Sequence, residues 1–132
     1  MGSTPSTPKT EFMNGRPSFN GATRVHPMFN GLLYRLSDRK SNRWAFYNDS
    51  RDHTIHVAIL FDYDSQIVPL GSTTAYRIDD PDPGCEDDMG KYLAEVDVAP
   101  LATEMFVEGR VTGWRVDTLE AKTAEDEQMY RL

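Results

Sequence analysis

The chain is expected to be all-β, an antiparallel sandwich or open barrel of about seven to eight short strands preceded by a disordered N-terminal arm. Three observations carry this expectation. Apolar residues alternate with polar ones over short stretches, as in "HTIHVAILFDY" and "KYLAEVDV". Turn-forming clusters recur at roughly ten-residue spacing. No segment sustains a helical period for three turns.

Residues 1–24 read as a flexible arm and residues 25–132 as a single β-domain. In "STPSTPKT", Pro5 and Pro8 alternate with Ser and Thr, which disfavours helix and favours extension. Asn-Gly occurs at 14–15, 20–21 and 30–31, and both residues tolerate positive φ. "LLYRL" (32–36) and "RWAFYN" (43–48) flank the polar "SDRKSN" as a hairpin. "NDSRD" is a second turn. In 53–63, Ile55, Val57, Ile59 and Phe61 share one face, and Thr54, His56, Ala58 and Leu60 the other. "SQIVPLG" and "TTAYRI" follow as short strands, and the acidic "DDPDPGCEDDMG" (79–90) forms a loop. In 91–98, Tyr92, Ala94, Val96 and Val98 share a side. Residues 103–121 give two strands turning at Glu108-Gly109, and "TAEDEQMYRL" is a short helix or a frayed end.

With 132 residues, 39% of them apolar, one core can form without staples. The longest apolar run, Val57 to Phe61, is strand length, far short of the ~20 residues of a spanning helix. The polar first thirty residues do not resemble a secretory signal, and the single Cys85 points to a reducing, cytosolic compartment. Residues 1–53 carry a net charge of +4 and the remainder −11. The acidic balance argues against a nucleic-acid partner, while the basic front half suits an anionic membrane surface as well as ordinary solvated loops.

"MGSTPS" fits M-G-x-x-x-[ST], the pattern for myristoylation of Gly2 once Met1 is removed. Elsewhere the chemistry is sparse. Cys85 lies among carboxylates that raise a thiol's pKa, which makes it a poor nucleophile. His53 and His56 fall on opposite faces of a strand, and His26 stands apart. Asp79, Asp80, Asp82, Glu86, Asp87 and Asp88 place six carboxylates within ten residues, the best metal candidate. The EF-hand register fails, however: with Asp80 at position 1, Gly84 falls at position 5 rather than 6 and Lys91, not Glu, at position 12. A solvated loop is the expectation, with a Ca²⁺-responsive, C2-like module using loop 79–90 as the alternative function. Phe12, Phe19, Met28 and Phe29 lie on the turn-rich front segment. They either pack on the sheet or meet lipid or a partner, and packing is expected.

Gly31–Arg35 ("GLLYR"), Trp44–Asp49 ("WAFYND") and Thr103–Gly109 ("TEMFVEG") resemble the small domain of the kinetoplastid calpain-related proteins. The resemblance spans about residues 11–131 and is closest to the family's small myristoylated members from Leishmania-type flagellates. It implies a domain without the protease core: non-enzymatic and free of cofactor. It also implies an adaptor or structural role at the cytoplasmic face of the flagellar or plasma membrane, bound to lipid by an N-terminal acyl chain and to an unidentified protein partner. Gly2 matches the family's acylation position. Doubly acylated members carry a cysteine where this chain has Ser3. A single myristoyl chain anchors only marginally. An engineered loss of the cysteine, help from Lys9 and Arg16, and reversible binding all remain open.

Overall fold

The computed structural model describes residues 12–19, 24–78 and 91–123. Among these residues, nine strands form two antiparallel sheets, with the chain order β1 (Arg24–Met28), β2 (Leu33–Asp38), β3 (Arg43–Asn48), β4 (His53–Asp62), β5 (Gln66–Pro69), β6 (Thr74–Ile78), β7 (Lys91–Val98), β8 (Thr103–Arg110) and β9 (Trp114–Thr123). One sheet has the order β1-β2-β3-β8-β5 and the other β6-β7-β4-β9. The arrangement is a sandwich, with one strand more than the sequence suggests.

The two-residue alternation explains how the sheets pack. Ile55, Val57, Ile59 and Phe61 of β4 turn inward together with Ala94, Val96 and Val98 of β7. Leu33, Phe46, Phe106 and Val107 meet them from the facing sheet, closing one core. The alternate residues of β4 are buried as well: Ala58 and Leu60 group with Leu93 on the outer side. The outer side of the five-stranded sheet carries Tyr34, Leu36, Ala45 and Tyr47, against which Phe12 and Phe19 pack.

Three local expectations change. β1 forms across "RVHPM", a stretch read as arm and turn; it is an edge strand, where Pro27 removes no ladder donor that a neighbour needs. β8 runs on through Gly109, so the chain does not turn at Glu108-Gly109. It turns at residues 111–113 instead and crosses to the other sheet. Gly109 has φ +136°, and a Cβ there would lie 2.0 Å from the backbone oxygen of Gln66 on β5. Close strand approach, not a turn, is why this position is glycine. Thirdly, residues 12–19, placed by sequence in the flexible arm, lie against the five-stranded sheet. By contrast, Asn30-Gly31 does turn the chain, with φ of 58° and 82°.

Candidate functional site

Within the segment 12–19, residues 13–15 are held by the side chain of Asp49. β3 ends at Asn48, and Asp49 follows with 1% of its surface exposed. Its Oδ2 accepts the backbone N–H of Met13 at 2.6 Å, and its Oδ1 accepts those of Asn14 and Gly15 at 3.1 Å each. The Tyr47 hydroxyl donates to the same Oδ1 at 2.8 Å. Asn14 Nδ2 returns a bond to the Asp49 carbonyl at 2.6 Å. Three consecutive N–H groups converging on one carboxylate form an anion nest with the anion supplied by the protein itself. Such charge-assisted bonds are the strong ones.

The surroundings keep this carboxylate in place. The Asp49 N–H bonds to the Leu32 carbonyl at 2.8 Å. Asn48, fully buried, donates to the carbonyls of His53 and Val98, and its Oδ1 accepts the Ser50 N–H. Phe12 inserts edge-on between Tyr34 and Tyr47, with centroids at 4.8 and 5.3 Å. Burial, and then the hydrogen bond to Asp49, push the Tyr47 hydroxyl's pKa well up; burial and the Asp49 charge raise that of Tyr34. Both tyrosines therefore stay protonated. Gly15 sits so close that a Cβ would lie 2.5 Å from the Tyr47 hydroxyl. Farther along, Ser18 donates its N–H to Thr103 Oγ1 at 2.9 Å.

Among the front-segment aromatics and methionine singled out from sequence, Phe12 and Phe19 pack on the outer side of the five-stranded sheet, and Met28 and Phe29 against the inter-sheet core. Met13, in the clamped segment, has 79% of its surface in solvent. Leu101, 41% exposed, lies beside Gly15. Gly2, Cys85 and the carboxylates Asp79, Asp80, Asp82, Glu86, Asp87 and Asp88 lie outside the described residues. Among the described residues, no group of three or more His, Cys, Asp or Glu side chains is placed to hold a metal ion.

The histidines are separated. His26 is on β1; His53 opens β4; His56 reaches Glu95 and Asp97 at 3.2 and 2.7 Å. Ser50 Oγ lies 3.2 Å from His53 Nδ1, yet the same oxygen accepts the N–H groups of Asp52 and His53. That is the geometry of a turn brace rather than of a nucleophile aimed at substrate. Sequence reading missed Asp49 as the anchor. The signal was present in "YND", where a carboxylate follows two residues of a strand end that face the core and the arm.

Residues 12–123 match the family described as a domain of unknown function, DUF1935. The chain belongs to this family. The matched range includes residues 13–15, the piece held by Asp49. Among solved structures, a Leishmania major hypothetical protein shares 62% identity, with 89% of this chain and 96% of that one covered and a TM-score of 0.77. The NMR structure of SMP-1, a small myristoylated protein from Leishmania major, shares 32% identity over 98% of this chain and 94% of that one, at a TM-score of 0.75. No curated protein matches the chain.

Proposed function

We propose that this DUF1935 protein is a non-enzymatic, membrane-tethered β-domain. It carries a myristoyl chain on Gly2 and serves as an adaptor or structural module at the cytoplasmic face of the flagellar or plasma membrane. The observation that carries the reading is the Asp49 clamp on residues 13–15, which joins the domain to the chain just behind the acylation motif. Likeness over nearly the whole chain to a small myristoylated protein supports it, and the same motifs support kinship with the calpain-related proteins of kinetoplastids.

The clamp sets the tether. Ten peptide units separate Gly2 from Phe12, and fully extended they span at most ~35 Å. A chain free to residue 24 would reach about twice as far. The clamp thus keeps the domain close to the bilayer that holds its acyl group. One myristoyl chain binds with only about 10⁴ M⁻¹, so a second contact is needed for stable residence. The exposed side chain of Met13, whose N–H is held in the clamp, is suited to insert at the interface.

Co-expression with an N-myristoyltransferase followed by flotation on liposomes tests the proposal. The wild type should float and Gly2→Ala should remain with the soluble fraction. Equal distribution of the two removes the tether.

A further inference from the structure

Between the sheets the inward row of β2 changes character along its length: Leu33 belongs to the apolar core, and two residues later the same face presents Arg35. Its guanidinium carbon lies 4.6 Å from the ring centroid of Trp44 and 4.8 Å from that of Trp114, and the two indoles meet edge to face at 5.1 Å. Here, at the end of the sandwich away from Asp49, an open cleft of about 340 Å³ is lined by Arg24, His26, Arg35, Arg39 and Arg110.

The cleft has one carboxylate among its described lining residues, and that group is already engaged. Asp38 accepts the Lys40 N–H at 3.2 Å and the Ser41 hydroxyl at 2.8 Å, bracing the β2–β3 hairpin. Among the described residues, no ion pair joins Arg24, Arg35 or Arg110 to a carboxylate. Arg24, Arg35 and Arg110 beside the single carboxylate of Asp38 leave an excess of positive charge among the described lining residues, and like charges repel one another. Burial and then the charge of Arg24 lower the pKa of Arg35, and burial followed by Arg35 and Arg24 lower that of His26. The guanidinium rests against both indoles and carries five N–H donors in a fixed fork. That fork matches the oxygens of a phosphate.

We infer that this cleft binds a phosphate or phosphomonoester dianion, gripped by Arg35 beside Trp44 and Trp114 and neutralised by Arg24 and Arg110. A dianion fits better than a monocarboxylate because several cations converge on one small volume. The inference goes beyond the tether reading and is independent of Gly2, since it concerns the folded domain alone. A soluble phosphate compound and a phosphorylated lipid headgroup share this chemistry.

Trp44 and Trp114 are the chain's two tryptophans, so intrinsic fluorescence reports on the cleft directly. The non-acylated full chain is titrated with inositol 1,4,5-trisphosphate, with sodium phosphate, and with sodium chloride and acetate at matched ionic strength. Saturable fluorescence changes are expected with the phosphates and not with chloride or acetate. By calorimetry, Arg35→Gln should weaken trisphosphate binding at least about tenfold and Arg110→Gln severalfold. Arg51→Gln, exposed at the opposite end, should leave it unchanged. Circular dichroism of each variant separates lost binding from lost fold, and the exposed Arg110 keeps the test valid if Arg35→Gln fails to fold. Co-sedimentation with phosphatidylcholine vesicles holding 5% phosphatidylinositol 4,5-bisphosphate assigns the source: Arg110-dependent capture means a lipid headgroup, and free trisphosphate binding without capture means a soluble ligand. No saturable phosphate binding, equal weakening by Arg51→Gln, or binding only of a poly-glutamate peptide would overturn the inference.

Discussion

Met13 donates its backbone N–H to Asp49 Oδ2 at 2.6 Å across 36 residues of sequence. With the Asn14 and Gly15 N–H groups on the partner oxygen, this bond turns a stretch that composition marks as loose into part of the domain. The anchor stands directly after β3, whose inward Phe46 fills the core and whose outward Tyr47 meets the clamped segment, so clamp and core adjoin on one strand.

Removing the carboxylate should release the segment. Asp49→Ala abolishes three charge-assisted bonds to backbone and leaves the buried Tyr47 hydroxyl without its acceptor. We expect a loss of about 2–3 kcal/mol in urea unfolding. Asp52→Ala, on the exposed side of the same turn, should cost less than about 0.5 kcal/mol. Equal losses in the two variants would mean that the clamp contributes nothing specific.

Gly15 and Tyr47 should be energetically coupled. Gly15→Ala places a methyl group 2.5 Å from the Tyr47 hydroxyl, an overlap that the buried ring cannot easily relieve. Tyr47→Phe alone loses one hydrogen bond, roughly 1 kcal/mol. In the double variant the methyl occupies the vacated space, so the combined loss should be smaller than the sum. A double-mutant cycle by urea unfolding measures it; strict additivity contradicts the contact.

His26 should impose a pH dependence. Burial, Arg35 and Arg24 all lower its folded-state pKa below the ordinary 6.5. As pH falls through 6.5 the unfolded chain takes up the proton first, so the unfolded state gains. The stability of wild type relative to His26→Gln should therefore be constant above about pH 7 and decline below 6.5. A relative stability that rises on acidification contradicts the assignment of those neighbours.

Gly109 should tolerate no side chain. Its φ of +136° and the 2.0 Å approach to the Gln66 oxygen make Gly109→Ala strained and clashing at once. A loss above about 3 kcal/mol, or no folded product, is expected from thermal unfolding. Near-wild-type stability would show that β5 moves aside freely.

Most of the sandwich was legible because alternation is a local signal. Ile55 to Phe61 and Tyr92 to Val98 each write their buried face within a single strand. β1 was not, because Pro27 and the Asn30-Gly31 turn outweigh the alternation of Val25 with its neighbours, and only edge placement makes a strand proline harmless. Gly109 carried a turn signal whose cause is a non-local contact with Gln66. The clamp depends on an aspartate more than thirty residues from its partners, and the cleft on arginines from β1, β2 and β8 that become neighbours only through the sheet order. Tertiary placement, not residue type, makes these sites.

Amide hydrogen exchange on the myristoylated full chain tests the central claim most directly, residue by residue at Met13, Asn14 and Gly15. The clamp predicts strong protection of all three amides in the wild type, and selective loss of that protection in Asp49→Asn while the amides of β4 and β7 remain protected. Exchange of these three amides at the unprotected rate in the wild type would contradict it.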